Sequence, residues 1–319
     1  MAGTGDGHES GAAILAAFLA NVGIATAKFA GFLITGSSSL LAESIHSVAD
    51  SSNQGLLVLG GRQAAQPPSE LHQLGYGRVR YFWAFVVAVV LFTLGGVFSL
   101  YEGYHKIAEP QDIDAPAVAL VILTLAAAFE GFALRTAARH ARPHRGRRSW
   151  AAYIRESRSP ELPVLLLEDS GALLGLFFAF TGVALAVVTG NPVFDGIGTL
   201  AIGALLFCIA VVLAIEMRSL LIGESAAPEL QGQIEAAFAK SPGVRRVIHV
   251  LTQHLGPDEL LIAAKLEFDP QLATAQLVDA INAAERRVRA IPGAGGAWVY
   301  VEPDCGQRES VVEAAPQPE

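Results

Sequence analysis

The sequence predicts an all-α bundle of six membrane-spanning helices followed by a small α+β domain. Three observations lead to this fold class. Hydrophobic residues make up 52% of the 319 residues and charged residues only 16%, whereas a soluble domain carries about 25% charged residues. Six apolar stretches reach the roughly 20 residues that cross a bilayer as a helix. After them the pattern changes to short amphipathic segments typical of alternating helices and strands.

The six predicted spans are bounded by polar connections of contrasting charge. The spans are 12–35, 39–61, 81–104, 115–138, 162–188 and 193–218. Arginines follow the second, fourth and sixth spans, most densely in "RTAARHARPHRGRRSWAAYIRESRSPE". The other connections, "TGSSS", "EPQDIDAP" and "TGNPVFDG", contain no Lys or Arg. By the positive-inside rule, both termini and the arginine-bearing connections are expected in the cytoplasm.

The residues after 222 predict the order α-β-β-α-β. Helical spacing is present in "APELQGQIEAAFAKSPGV" and "TAQLVDAINAAERRVRAI", and strands are predicted for "RRVIHVLTQHLG", "ELLIAAKLEF" and "GAWVYVEP". This order is typical of a ferredoxin-like domain, in which helices cover one face of a sheet. The expected domains are a disordered tail at 1–11, a transmembrane domain at 12–220, a cytoplasmic ferredoxin-like domain at 221–304 and a disordered tail at 305–319.

Charge and cysteine content exclude some classes of function. The net charge of −8 argues against a nucleic-acid partner. The two cysteines, Cys208 and Cys305, are too few for a disulfide framework or a Cys-rich metal site.

Three ionisable residues interrupt the second apolar stretch, in "SSSLLAESIHSVADSSNQ". On a helix, Glu43, His46 and Asp50 share one face. A charge at the bilayer centre costs roughly 2.5–3.5 kcal/mol, so each needs a reason. One reason is metal binding, because an imidazole and a carboxylate four residues apart can bind one divalent ion. The alternative is a His46–Asp50 hydrogen bond that only packs the bundle; inside a membrane span, metal binding is favoured.

A second polar position lies in the fifth stretch, "PVLLLEDSGALLG". Glu168 and Asp169 are adjacent, so their side chains point about 100° apart on a helix. One would complete a metal site while the other faces water or a neighbouring helix. The alternative is that both are surface charges at the end of the span, but a helix start near Pro163 places them about 8–9 Å inside.

Two further charges lie in other spans. Lys28 in the first span is expected to be paired with an acid or to extend towards the membrane surface. Glu130 in the fourth span either pairs with Lys28 or lines the path of an ion. The sequence alone leaves both roles of Glu130 open.

Two segments, "NVGIATAKFAGFLITGSSSLLAESIHSVAD" and "ELHQLGYGRVRYFWAF", resemble the cation diffusion facilitator family of divalent-metal/proton antiporters. That family carries an Asn, a Lys, a Thr-Gly-Ser turn and an acidic-x-x-His-x3-Asp run in this order. The six-span plan and the C-terminal domain match as well, so the resemblance covers nearly the whole chain. The "LLLED" form is similar to a branch that includes mitochondrial zinc exporters, which carry an acidic pair at this point.

The resemblance implies a transport site within the membrane. Its metal ligands would be His46, Asp50, Asp169 and either Glu168 or water, with Glu43 on the same stripe. The family usually has a histidine four residues before the fifth-span aspartate, and this chain has Leu165 there. The substitution leaves the identity of the metal open.

Weaker family sites are implied outside the spans. A loop metal site would use Glu70 and His72, although the later histidine position holds Tyr76; the alternative is a solvated loop. Arg78 matches a basic position that pairs with an acid near the C-terminal domain, for which Glu224 is the candidate.

The C-terminal domain itself shows little sign of metal binding. Lys265 and Tyr300 stand at strand positions where family members carry metal ligands, with Glu302 as the acid beside them. A lysine ammonium repels a cation, so dimerisation rather than metal sensing is expected of this domain.

The expected function is export of Zn²⁺ from the cytoplasm in exchange for protons. The family resemblance implies a homodimer with alternating access in each protomer. Imidazole and carboxylate ligands suit zinc, with Mn²⁺, Fe²⁺ and Co²⁺ as alternatives. Histidine has an ordinary pKa near 6.5, so protons compete with metal for it. No prosthetic group is expected, and the location is a multi-pass position in the lipid bilayer of a bacterial inner membrane.

Two other classes of function remain as alternatives. One is a membrane metal-binding or regulatory protein that does not transport, suggested by Leu165. The other is an intramembrane metalloenzyme with Glu168 as a base on zinc-bound water. The chain lacks a His-Glu-x-x-His pattern and a nucleophile elbow, so an enzyme is not expected.

Overall fold

The computed structural model describes residues 6–304, with side chains from Asn21 onward. The chain forms two compact units. The helical unit comprises Met1–Gln66 and Arg78–Leu221, and the C-terminal unit comprises Pro67–Gly77 and Ile222–Glu319. The predicted tail at 305–319 lies outside the described residues, as do residues 1–5 of the predicted N-terminal tail.

The helical unit is built from long helices. They are α1 (Asp6–Thr35), α2 (Ser38–Ala64), α3 (Val79–Val90), a π-helix (Leu91–Val97), α4 (Phe98–Ala108), α5 (Pro116–Arg145), the short α6 (Trp150–Glu156), α7 (Glu161–Thr189) and α8 (Val193–Ile222). Helix α1 begins at Asp6, before the predicted start of the first span.

Four helices among the described residues are long and apolar enough to cross a membrane. They are the continuous helix Val79–Ala108, Pro116–Arg145, Glu161–Thr189 and Val193–Ile222, which correspond to predicted spans three to six. Predicted spans one and two correspond to α1 and α2. The described apolar part of α1 is the shorter Asn21–Thr35, and α2 is less apolar because serines, Glu43, His46 and Asn53 lie buried along it.

The third of the predicted spans is not a regular α-helix throughout. The π-helix Leu91–Val97 separates α3 from α4. At Gly95 and Gly96 the backbone lies against α8, where added Cβ atoms would lie 3.0 Å from the Leu206 side chain and 3.2 Å from the Phe207 amide nitrogen. Glycine tolerates this approach because it has no Cβ. A hydrophobic pattern does not register such a local change of helix type.

The arginine-rich segment after the fourth span was expected to be a loop, and that prediction was wrong. Helix α5 continues to Arg145 and ends at Gly146, which has a φ of +58°. Arginine and alanine are good helix formers, so charge in this segment does not end the helix. The Arg145 guanidinium then lies 4.4 Å from the ring centre of Trp150 in α6, which stabilises the turn between the two helices.

Helices α4 and α8 approach closely through glycines. A Cβ on Gly103 would lie 2.9 Å from the Gly196 carbonyl oxygen, and one on Gly203 would lie 2.7 Å from the Leu100 amide nitrogen. Small residues at such contacts let helix backbones pack directly in membrane proteins.

We expect Gly203→Ala to lower the free energy of unfolding by about 1–3 kcal/mol, because the added methyl group overlaps the Leu100 backbone. Thermal unfolding of the purified protein in detergent measures the change. The control is Gly131→Ala in α5, where no described atom outside the adjacent backbone of α5 lies within 4 Å of the added Cβ; a gain of about 0.5–1 kcal/mol is expected there. Equal losses in the two variants would contradict the packing argument.

The start of α2 is held by a carboxylate of α8. Asp195 is fully buried. Its Oδ1 accepts a hydrogen bond from the Ser37 hydroxyl (2.9 Å), and its Oδ2 accepts one from the Ser38 backbone N–H (2.8 Å). The Ser39 N–H also donates to Oδ1, at 3.3 Å. The carboxylate thus satisfies N–H groups that a helix start leaves without partners. Sequence reasoning gave Asp195 no role.

The C-terminal unit contains α9 (Pro228–Ala239), β1 (Val244–His254), β2 (Leu260–Phe268), α10 (Thr274–Arg289) and β3 (Trp298–Asp304). This is the predicted α-β-β-α-β order. Strand β1 pairs antiparallel with β2, and β2 pairs parallel with β3. Alternate residues of β2 from Leu260 to Phe268 are buried, as the period of a strand requires. They pack in one core with Phe238 of α9 and Val288 of α10.

Candidate functional site

A cavity of about 480 Å³ lies among helices α1, α2, α5 and α7 of the helical unit. Carboxylates from three of these helices line it: Asp50 of α2, Glu130 of α5 and Asp169 of α7. Their charges interact, because Asp50 lies within electrostatic range of both of the others. Three acids around one cavity within the helical unit favour a positively charged occupant.

His46 and Asp50 lie together on α2, as their spacing predicts. His46 is fully buried, and its Nδ1 is 3.5 Å from Asp50 Oδ1. That distance is longer than a good hydrogen bond. Neither ring nitrogen of His46 has a hydrogen-bond partner among the described residues, nor does Asp50 Oδ1. Buried polar atoms without a partner cost about 1–3 kcal/mol each, so the pair is better suited to bind a ligand than to pack the bundle.

Glu168 and Asp169 are both buried, with 3% and 9% of their surface exposed. The alternative that they are surface charges was therefore wrong. They point in different directions, since Glu168 Oε1 accepts a 2.6 Å hydrogen bond from Asn53 Nδ2 on α2 while Asp169 lines the cavity. Leu165, one turn before Asp169, lines the same cavity with an apolar side chain.

Glu43 is engaged by a lysine. Lys28 of α1 donates hydrogen bonds to Glu43 Oε2 at 3.0 Å and to the Ser47 hydroxyl at 2.8 Å. The Lys28 and Glu43 side chains are both fully buried, which confirms that Lys28 is paired. Glu130 Oε1 lies 4.0 Å from the same ammonium. Glu130 therefore has both of the roles that the sequence left open: it approaches Lys28 and it lines the cavity.

The candidate ligands do not close around a single point in this conformation. Among the side chains from Asn21 to Asp304, no three His, Cys, Asp or Glu residues are gathered as the ligands of one ion. The described arrangement is instead a His46–Asp50 pair with Asp169 elsewhere on the lining of the same cavity.

The predicted loop residues lie in the C-terminal unit. Glu70 and His72 are exposed in Pro67–Gly77. The His72 ring stacks on Tyr76, with the ring centres 4.6 Å apart. Arg78 and Glu224 fall in different units, so their ion pair stays a prediction.

The lysine expected to exclude metal from the C-terminal unit has two acidic partners. Lys265 Nζ lies 2.9 Å from Glu302 Oε1 and 3.5 Å from Asp304 Oδ2. The hydrogen bond that Lys265 donates to Glu302 raises the pKa of Lys265 above its ordinary value. Sequence reasoning named Glu302 as the acid here and missed Asp304, which lies two residues further along β3.

The sequence also did not show that His140 lies beside the cavity, and it left the role of Glu130 open. His140 belongs to the arginine-rich connection that follows the fourth predicted span, but it lies on α5 and lines the cavity. A usable signal existed for Glu130, because it is the only charged residue between positions 115 and 134.

Comparisons with known proteins identify relatives of the helical unit. The family model "Cation efflux transmembrane domain" matches residues 14–222. The human mitochondrial proton-coupled zinc antiporter SLC30A9 is 34% identical over 77% of this chain and 44% of its own length. Metal tolerance protein C4 of Arabidopsis thaliana is 26% identical over 83% of this chain and 58% of its own length. Magnetosome protein MamB of Paramagnetospirillum magneticum is 24% identical over 90% of this chain and 92% of its own length.

The chain spans less than half the length of the zinc antiporter that it matches. The residues matched by the family model include all the candidate ligands in α2, α5 and α7.

Proposed function

Because the chain belongs to the cation efflux family and is an integral membrane protein, we propose that it exports Zn²⁺ from the cytoplasm in exchange for protons. One observation carries the proposal: the ring nitrogens of fully buried His46 and Asp50 Oδ1, which have no hydrogen-bond partner within the described part of the chain, adjoin a cavity that Asp169 also lines. Imidazole and carboxylate are the ligand types that zinc accepts. The human relative is named a proton-coupled zinc antiporter, which supports the same substrate.

Each residue of the proposed site has a separate task. His46 offers ring nitrogens that either metal or a proton can occupy, which couples the two species. The carboxylates of Asp50 and Asp169 supply negative charge that favours a cation and replace part of its water shell. Alternating access then brings the same ligands first to the cytoplasm, where metal binds and protons leave, and next to the opposite side, where protons displace the metal.

We also propose that α1 and α2 are the first two of six spans. At 1.5 Å per residue, their 30 and 27 residues extend about 45 Å and 40 Å, more than the roughly 30 Å hydrocarbon core. Glu43, His46 and Asn53 of α2 are buried within the bundle, so a membrane position would not expose these polar side chains to lipid.

For the C-terminal unit we propose a ferredoxin-like domain that supports a homodimer. The β2–α10–β3 crossover between parallel strands agrees with this fold. Lys265, paired with Glu302 and Asp304, favours dimerisation over metal binding there.

We place both termini in the cytoplasm of a bacterium, with the helical unit in the inner membrane; the human relative is named mitochondrial. We assign no enzymatic activity and no prosthetic group.

Metal flux into proteoliposomes tests the function. Zn²⁺, Mn²⁺, Fe²⁺ and Co²⁺ are offered side by side, with a pH gradient of either direction or none. We expect Zn²⁺ to accumulate only when protons run in the opposite direction, and to stop when a protonophore collapses the gradient. Protein-free liposomes provide the background. If metals bind the purified protein but none moves at any gradient, the alternative of a non-transporting metal-binding protein is correct.

A further inference from the structure

We propose that Glu130 binds the transported cation together with Asp50 and Asp169, supplying the ligand that Leu165 does not, and that Lys28 is its counter-ion while no metal is bound. The inference rests on the transport function proposed above and names a further residue of the same cavity.

The position of Glu130 supports direct contact with a cation. Its side chain is 15% exposed and lines the cavity shared with Asp50 and Asp169. Its charge acts on both of these aspartates. Among the described residues it takes part in no hydrogen bond, and its one ion-pair contact is the 4.0 Å approach to Lys28. A carboxylate held this loosely can turn towards a cation without breaking an internal hydrogen bond.

Lys28 is placed to release Glu130. Its ammonium has two short hydrogen bonds, to Glu43 at 3.0 Å and to Ser47 at 2.8 Å. The longer contact with Glu130 is therefore the one that can be lost most easily. When Glu130 moves to a metal ion, Lys28 keeps Glu43 as its partner, so no buried ammonium is left without a counter-charge.

Unsatisfied groups beside the cavity indicate that a ligand is missing. Among the side chains that the structure describes, none is a hydrogen-bond partner of either ring nitrogen of fully buried His46 or of the Oδ1 atom of Asp50. His46, Asp50 and Asp169 provide three ligands, whereas zinc takes four in most sites. Glu168 is engaged by Asn53 at 2.6 Å, and Leu165 has no donor atom. Glu130 is the carboxylate on the cavity lining that remains for the fourth position.

This ligand set predicts a particular selectivity. A carboxylate instead of an imidazole as the fourth ligand makes a site harder, and harder sites accept Mn²⁺ more readily relative to Zn²⁺. An imidazole at position 165 would lie one helical turn from Asp169 on the same face. Leu165→His should therefore replace Glu130 as a ligand and shift the preference towards Zn²⁺.

Four proteins test the proposal: the wild type, Glu130→Gln, Leu165→His and the double variant. Equilibrium binding of Zn²⁺ and Mn²⁺ is measured by calorimetry in detergent, and flux is measured in proteoliposomes. We expect Glu130→Gln to weaken Zn²⁺ binding at least about 10-fold. The double variant should recover most of the Zn²⁺ affinity and flux but not the Mn²⁺ affinity. Glu109→Gln, an exposed acid at the end of α4, should leave all values unchanged.

The outcomes separate this inference from the transport function. If Glu130→Gln folds and binds Zn²⁺ as the wild type does, the inference is wrong; loss of binding in His140→Ala would then identify His140 as the ligand instead. Failure of Leu165→His to restore binding would mean that Glu130 acts only through the fold, since a structural defect is not repaired by a new imidazole. If Glu130→Gln does not fold, Glu130→Asp takes its place with the same expected rescue.

Absence of flux in the wild type would overturn the transport function, while the binding data would still decide the role of Glu130.

Discussion

Replacing Asp50 by asparagine is expected to lower proton-driven zinc flux at least about 100-fold while the protein stays folded. Removal of a group that only supports a metal ligand already reduces affinity by about 10–100-fold, and Asp50 is proposed as a ligand itself. The fold should tolerate the change because asparagine has nearly the same size and Asp50 Oδ1 has no hydrogen-bond partner to lose between Asn21 and Asp304. Zinc flux in proteoliposomes and the melting temperature in detergent measure the two effects separately.

Two further variants test whether the loss of flux in Asp50→Asn is specific to the cavity. Asp169→Asn should cause a comparable loss of flux, because that carboxylate lines the same cavity from α7. Asp279→Asn makes the same chemical change at an exposed position of α10 and should transport as the wild type does. Wild-type flux in folded Asp50→Asn would show that the cavity next to His46 is not the path of the metal.

The polar stripe on α2 could be predicted from sequence because it depends on spacing along one helix. Glu43, His46 and Asp50 lie three and four residues apart, and that spacing fixes a common side whatever else the chain does. The partners of the stripe depend on packing between helices, which periodicity does not encode. Glu43 is therefore a proposed ligand by spacing but the partner of Lys28 in the structure.

The dependence on packing between helices also explains why the sequence did not place the residues of α5. Glu130 and His140 reach the cavity because α5 packs beside α7 and continues past the point where the arginines begin. Charge asymmetry predicts on which side of a membrane a segment lies, but it does not predict where a helix ends. The α-β-β-α-β order of the C-terminal unit could be predicted from the sequence because each element there has a local pattern and a local turn signal.

The second large effect is expected at Asp195, where the fold rather than the transport site is affected. Asp195→Ala should lower the free energy of unfolding by at least about 3 kcal/mol. The Ser38 and Ser39 N–H groups and the Ser37 hydroxyl would lose a buried acceptor, and each such loss costs about 1–3 kcal/mol. The negative charge at the start of α2 would also be lost. Unfolding of the purified protein, followed by circular dichroism, measures the change.

Asp195→Asn separates the two contributions, because it retains one carbonyl acceptor and the side-chain volume but not the charge; its loss should be intermediate. Asp112→Ala, at an exposed position, is the matched control and should be nearly neutral. A loss no larger than that of the control would mean that the hydrogen bonds accepted by Asp195 do not hold α2 in place. Since α2 carries His46 and Asp50, flux in Asp195→Ala should fall only in proportion to the fraction of protein that remains folded. This distinguishes it from Asp50→Asn, in which folded protein is expected to have lost transport.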